Sequence, residues 1–271
     1  MIQFGSMRNF EIFCRAWCQV WVERGLIWRL HKGFIKSQAN GSQFSVLWNF
    51  VLPVVPLGFY VILSSLSVFP EVESMNRLTF VVIGVTAWLL FAGLIIIPMN
   101  EVKTAIRAAS KSQLSILAHI LVKMSGLIFD TSIRILVGSL VLFFFSSDGF
   151  HISPWLLVAL VIAAFCFFGL GLLLGCLCVF SGNLSKLVTI VLQYALFVSG
   201  VIFPISKLGA IEKFCYFNPL YQAVSVTRSL IVHGEFNATL YALLLVPGGL
   251  FCFVWFSAVV TVLRDHLGGK I

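Results

Sequence analysis

The chain has 271 residues, of which 60% are hydrophobic and 10% are charged, and its formal net charge is +8. Soluble domains carry charge on about a quarter of their residues, so this composition excludes an ordinary soluble protein. Five long stretches contain no charged side chain: Phe44–Phe69, Leu78–Asn100, Pro154–Ser185, Leu187–Ser206 and Phe236–Leu263. Since about 20 apolar residues cross a bilayer as a helix, the sequence predicts an all-α polytopic membrane protein.

Six transmembrane helices are predicted, because a further stretch at about 122–146 tolerates two charged residues near its centre. The other five spans are expected at about 44–69, 78–99, 154–180, 187–204 and 238–263. A helical bundle is expected because lipid offers no partners for exposed backbone groups. Residues 44–271 then form one transmembrane domain, which follows a cytoplasmic segment of residues 1–43.

Lysine and arginine are distributed unevenly over this topology. Most lie in the N-terminal arm, in the connection after span two and in the C-terminal tail. The positive-inside rule therefore places both termini in the cytoplasm. The net charge follows from this arrangement beside anionic lipid, so it does not indicate nucleic-acid binding.

The N-terminal segment contains a predicted amphipathic helix over residues 7–30. One face is aromatic and carries Phe10, Phe13, Trp17, Trp21 and Trp28. The opposite face is polar and carries Arg8, Glu11, Arg15, Gln19 and Glu23. This pattern is typical of a helix that lies in the membrane interface, although Arg24 falls on the aromatic side. Packing against protein is the alternative interpretation.

Small residues and prolines predict local features of the spans. Pro53 and Pro56 are expected to kink span one. After span two, residues 101–113 form a short basic amphipathic piece on the cytoplasmic side. In span four, Gly171 and Gly175 form a G-x-x-x-G pattern that permits close approach of another helix.

Span three is unusual because Asp130 and Arg134 fall within the membrane thickness. They are one helical turn apart with the acid first, which favours an intrahelical ion pair. Ionisable residues inside a membrane suggest a function, and a structural bridge that faces the bundle is the alternative. Proton coupling would need further buried acids, and the predicted spans contain none.

The connection between spans five and six is too apolar for a loop in water. Asn218 suits a helix N-cap, Pro219 the first helical position and Gly234 a C-terminal stop. We predict two short helices over about 205–234, joined at Asn218-Pro219, that dip back into the outer leaflet. Such broken structure is tolerated where it packs on protein or lines a cavity.

The sequence lacks the motifs of the common catalytic sites. It contains no P-loop pattern, and none of the metalloprotease or serine-hydrolase signatures. Its five histidines are dispersed. We therefore expect no catalytic residue, no metal site and no nucleotide hydrolysis in this chain.

From about Trp21 to the C-terminus, the order of features resembles the membrane subunit of type-2 ABC exporters. The resemblance is to the branch that exports O-antigen, capsular polysaccharide or teichoic acid. The matching elements are Gly41 with Leu47-Trp48 and Pro53, Gly84 with Trp88 but without the family's proline, Ser199-Gly200-Val201-Ile202-Phe203-Pro204, and Asn218-Pro219-Leu220 with Arg228. Phe180-Ser181-Gly182-Asn183 stands in the place of the family's Phe-Arg-Asp and lacks both charges. Ser225 stands where the family usually has a glutamate.

The resemblance implies a homodimeric permease in the bacterial cytoplasmic membrane, with two copies of a separate ATPase subunit that binds ATP and magnesium. A lipid-linked glycan would enter near the interfacial helix and leave through a channel along the dimer axis. The implied channel and outer-gate residues are Phe203, Pro204, Phe214, Tyr216, Phe217, Asn218, Pro219, Tyr221 and Arg228. The implied ATPase-coupling residues are Arg15, Arg24, Glu101, Lys103, Arg107 and Lys111.

Other functions fit the sequence less well. An exporter of drugs or lipids with the same fold is the main alternative. A membrane-embedded enzyme should show clustered polar residues near one interface, and a secondary transporter should show coupling carboxylates with broken midplane helices. The gate aromatics also have an ordinary alternative as lipid-facing or interfacial belt residues.

Overall fold

The computed structural model describes residues 6–39, 43–66, 72, 75–111, 114–146, 148–205, 215–235, 249 and 253–255. These residues form α-helices and connecting turns, and they contain no β-strand. The helices in chain order are α1 Ser6–Ala39, α2 Gln43–Ser65, α3 Arg77–Lys111, α4 Ile116–Phe145, α5 Trp155–Phe180, α6 Gly182–Val198 and α7 Pro219–Val232. The predicted all-α class is confirmed.

Three of the described helices, α3, α4 and α5, are long and apolar enough to cross a membrane. Shorter apolar helices cover Val51–Leu63 within α2 and the whole of α6. Most of the predicted span at 238–263 lies outside the described residues, as do residues 206–214 of the predicted re-entrant pair. Six spans and a re-entrant pair therefore stay predictions.

Helix α3 is the centre of the bundle. It packs against α2, α4, α5, α6 and α7. In its most apolar window 67% of the residues are buried, against 28% in α4 and 39% in α5. The helix continues without a break through residues 101–111, so its 35 residues extend roughly 52 Å, well beyond a hydrocarbon core of about 30 Å. One continuous helix, with Pro98 inside it, thus joins the two sides of the predicted membrane.

The G-x-x-x-G prediction in α5 is confirmed by its contact with α3. A Cβ atom on Gly171 would lie 2.6 Å from the Ile95 carbonyl oxygen, and one on Gly175 would lie 3.0 Å from that of Pro98. Side-chain atoms are closer still, Pro98 Cγ at the first position and Val102 Cγ2 at the second, so neither position has room for a side chain. The two glycines therefore allow α3 and α5 to pack directly.

Helix α4 forms one side of the bundle. Its buried residues recur every three or four positions, as in Leu127, Thr131, Arg134 and Gly138. Its opposite face is exposed and apolar and includes Ile128, Leu136, Leu140, Phe143 and Phe144. This pattern is that of a helix with one face on the protein and the other toward hydrocarbon.

The helix ends differ from the predicted span ends in an instructive way. Helix α6 begins at Gly182, before Lys186, and ends at Val198, well before Pro204. Helix α4 begins at Ile116, because the Ser115 side chain accepts a hydrogen bond from the Ala118 backbone amide. Charges mark where the hydrocarbon begins, whereas caps and turns mark where a helix begins.

Candidate functional site

The predicted helix start at Asn218-Pro219 is confirmed, and it is tied to the end of α6. The Asn218 Oδ1 accepts a hydrogen bond from the Leu220 amide at 3.0 Å, and Pro219 occupies the first helical position. The Asn218 side-chain amide also donates to the Ser199 hydroxyl at 2.8 Å. One side chain therefore caps α7 and holds it against the residue that follows α6. The predicted stop is present as well, since Gly234 has a φ of 72°.

Arg228 binds α7 to the N-terminal half of α3. Only 5% of the residue is exposed, and its Nη2 donates to three backbone carbonyls: Phe80 at 3.2 Å, Gly200 at 3.2 Å and Val201 at 3.4 Å. Its guanidinium carbon also lies 3.6 Å from the centroid of the Phe80 ring. A charge inside a membrane domain needs such partners, and here they come from α3 and the α6–α7 connection.

Two glycines leave room for this arrangement. A Cβ on Gly84 of α3 would collide with Arg228 Nη2 and would lie 2.7 Å from the Val201 carbonyl oxygen. Gly200 has a φ of 63°, and a Cβ there would lie 2.8 Å from the Tyr221 ring. Both glycines belong to the elements that resemble the exporter family, and the structure gives each a steric reason. We call Phe80, Gly84, Gly200, Val201 and Arg228 the arginine clamp.

The described aromatic residues of the predicted outer gate lie around the start of α7. Tyr216 and Tyr221 pack edge to face with ring centroids 5.7 Å apart, and 69% of Phe217 is exposed. The Gln222 side chain fixes this turn by donating to the Tyr216 carbonyl at 2.7 Å. Phe203 and Pro204 are half-buried, and Phe214 lies outside the described residues. Their role in a channel stays a prediction.

The end of the bundle that contains the start of α3 is closed by hydrogen bonds that the sequence did not indicate. The Asp148 carboxylate, in the α4–α5 connection, accepts from the Asn76 amide just before α3 at 2.9 Å. Beyond it, the amides of His151 and Ser153 donate to carbonyls of Ile231 and Leu230 at the end of α7, each at 3.0 Å. Because these partners are far apart in sequence and mostly backbone, no local pattern reveals them.

The charged pair in α4 uses α2 as a partner. The Arg134 Nε donates to the Pro53 carbonyl at 2.9 Å, and Asp130 interacts electrostatically with the guanidinium from one turn earlier. Arg134 is buried, whereas Asp130 is half-buried. Arg134 therefore faces the bundle and has a carbonyl partner on α2, while the role of the Asp130–Arg134 pair stays a prediction.

Helix α1 divides its aromatic residues between two environments. Phe13 and Trp17 pack on Phe253, with ring centroids 5.6 Å and 5.2 Å from it. Trp21 and Trp28 are 69% and 58% exposed. The first half of the predicted aromatic face thus packs on protein, as the alternative interpretation held, and the second half stays available for lipid.

The same helix is attached to the start of α4 by polar contacts. The Glu23 Oε2 accepts from the Ser115 hydroxyl at 2.7 Å and from the Ser115 amide at 3.1 Å. Farther along, His31 Nδ1 contacts the Ser125 hydroxyl. Sequence reasoning assigned Glu23 to the polar face of an interfacial helix and missed both contacts. Ser115 could have been recognised from the sequence as a helix start, but nothing in the sequence indicated Ser125.

The predicted coupling residues lie on α1 and on the C-terminal end of α3. Arg15, Arg24 and Arg107 are exposed, and Glu101 and Lys103 are half-buried. The Arg24 guanidinium carbon lies 4.6 Å from the centroid of the Trp21 ring, which explains a cation on the aromatic face. Lys111 belongs to α3, but its side chain is outside the described set.

Residues 25–232 match the family model described as ABC-2 type transporter. This match covers well over half of the chain. The chain belongs to the ABC-2 type transporter family. It is a multi-pass membrane permease of an ABC exporter, and membership implies an ATPase partner subunit. The match begins within α1 and ends with α7, so it includes the whole of the arginine clamp. A comparison with curated proteins gave no match.

In this ABC-2 permease, replacing Glu23 by glutamine is expected to loosen α1 from α4. The neutral amide is a weaker acceptor for the two Ser115 donors, and the loss should be about 1 kcal/mol. Limited proteolysis of α1 in membrane vesicles should be several-fold faster than in the unchanged protein, as expected for easier local opening. Glu11→Gln, at an exposed position of α1, is the matched control. Equal cleavage of the two variants would show that Glu23 does not hold the helix.

Proposed function

We propose that this ABC-2 permease exports a lipid-linked polysaccharide of the O-antigen, capsule or teichoic acid type across a bacterial cytoplasmic membrane. It would act as a homodimer with two copies of the ATPase subunit, which binds the ATP and magnesium. The observation that carries this proposal is the arginine clamp, because it joins the proposed outer gate to α3, the helix that reaches the cytoplasmic face.

The proposed coupling starts on the cytoplasmic side. Closure of the ATPase would push on α1 and on residues 101–111 of α3. Since α3 is one continuous helix, its displacement moves both ends together. The outer end carries Phe80, whose carbonyl binds Arg228 of α7. A push at one face of the membrane thus becomes a movement of α7 at the other.

The start of α7 supports a glycan as cargo. Sugars present C–H faces that pack on aromatic rings, and translocation requires contacts weak enough to release. The exposed Phe217 and Tyr216 provide such rings beside the capped turn at Asn218. On the cytoplasmic side, the exposed Trp21 and Trp28 of α1 lie beside Arg24 and Lys32, a pattern suited to lipid headgroups.

Replacing Asn218 and Pro219 together by alanine should reduce export at least about tenfold, since loss of a cap costs about 1 kcal/mol and the Ser199 tie is lost as well. Membrane insertion should not change. The assay is surface glycan measured in cells that express equal amounts of each variant. The matched control replaces Asn183 and Pro154, which are exposed at other helix starts. Full export by the first variant would mean that the turn is only a connector.

A further inference from the structure

A cavity of about 390 Å³ lies between α3, α4, α5 and α7, apart from the proposed gate. Its wall is almost wholly apolar and includes Val82, Leu142, Leu156 and Ile231. Along α4 it extends from Thr131 to Phe143, which is about 18 Å of helix. It therefore runs from near the middle of the bundle toward the α4–α5 connection.

Three residues that line this cavity each carry a polar atom without a partner. Arg134 Nη1, Thr131 Oγ1 and Thr86 Oγ1 are all buried and make no hydrogen bond. Arg134 is only 8% exposed and Thr131 only 6%. A buried donor without an acceptor is costly, so three such atoms on residues around one cavity point to a ligand that supplies an oxygen.

The mouth of the cavity faces the hydrocarbon side of α4. Ile135 and Phe143 line it, and they are 57% and 80% exposed. Ser139 is exposed and also lines it. A ligand that enters here comes from the bilayer and must carry a long apolar portion.

The unpartnered guanidinium nitrogen favours an anionic oxygen over a neutral one. The Arg134 Nε donates its hydrogen bond to a neutral group, the Pro53 carbonyl. Asp130 offsets the charge only from one turn away and is half-buried. Hydrogen bonds between a guanidinium and an ionised phosphate or carboxylate are the stronger kind.

We propose that this cavity binds an anionic long-chain lipid, with its chain along α4 and a phosphate or carboxylate oxygen on Arg134 Nη1 and Thr131 Oγ1. The inference concerns lipid binding and does not depend on which cargo is exported. It gives the buried arginine a ligand in addition to its structural bond with α2.

Photo-crosslinking of the full-length permease in membrane vesicles tests the proposal. The probes are hexadecyl phosphate, palmitate and hexadecane, each with a diazirine in the chain. The two anionic probes should label the cavity peptides of α4 about tenfold more than hexadecane does, as expected for one charge-assisted hydrogen bond. Equal labelling by the three probes would overturn the proposal.

Two variants locate the binding. Arg134→Met should reduce labelling by the anionic probes to the level of hexadecane. Ser139→Phe fills the mouth and should abolish labelling by all three. Ser132→Phe is the matched control, because Ser132 is also an exposed serine of α4 bonded to its own helix, but it does not line the cavity. If the probes label Ser139→Phe and Ser132→Phe to the same extent, the cavity is not the lipid-binding site. This conclusion holds whether or not Arg134→Met folds.

Competition identifies the natural source of the anionic group. Excess phosphatidylglycerol that displaces hexadecyl phosphate would indicate a membrane phospholipid. Displacement by a polyprenyl phosphate alone would indicate a lipid carrier. Displacement by neither would contradict a lipid site.

Discussion

Gly171→Leu is expected to prevent correct assembly of the bundle. The first atom of the new side chain would meet the carbonyl oxygens of Ile95 and Leu94, at 2.6 Å and 2.9 Å, so α5 would have to move away from α3. Overpacking of this kind costs about 3 kcal/mol, and here the obstacle is backbone, which cannot rotate out of the way. The expected result is a large loss of monodisperse protein in detergent and a strongly lowered Tm of any that remains.

Gly58→Leu is the matched control for this experiment. Gly58 is also a glycine within an apolar helix, but a Cβ there would meet no atom within 4 Å. The Gly58→Leu variant should therefore have nearly the same yield and Tm as the unchanged protein. If the two variants behaved alike, in either direction, the direct α3–α5 contact would not be what the bundle depends on.

Arg228→Met is expected to assemble but to lose transport. Methionine keeps much of the apolar volume and leaves the carbonyls of Phe80, Gly200 and Val201 without their donor. Losing these charged hydrogen bonds costs about 3 kcal/mol. The docked position of α7 therefore becomes about a hundredfold less populated relative to undocked positions. Export measured in cells should fall by a similar factor.

A control and a partial variant make this result specific. Lys186→Met removes an exposed cation from α6 and should not affect export. Arg228→Lys keeps the charge but cannot present the planar fork, so it should recover only part of the activity. Normal export by Arg228→Met would show that α7 is not coupled to α3 through the clamp.

Much of the architecture was predictable, because a bilayer restricts what a sequence can do. Runs without charge have to become helices in hydrocarbon, and α3 and α5 fall on such runs, while α4 falls on the stretch that tolerates two charges. The start of α7 was also predictable, since Asn218, Pro219 and Gly234 act through their own backbone positions. Gly171 and Gly175 indicated a close contact but not its partner.

The parts that sequence reasoning missed depend on partners without a residue signature. Arg228 was singled out, but its acceptors are backbone carbonyls, which every residue has. Glu23 appeared to face water, because its partner Ser115 lies 92 positions away. The continuity of α3 past the membrane edge was hidden for another reason, since charged residues such as Glu101 end a span without ending a helix.

We propose above that this permease moves a finished glycan across the membrane. Deletion of its gene, with glycan stained in intact and in permeabilised cells, tests this proposal most directly. We expect polymer that is missing from the surface and trapped inside, with restoration by the unchanged gene and not by Arg228→Met. Unchanged surface staining would contradict it and favour export of a drug or lipid, while polymer absent from both preparations would indicate a role in synthesis.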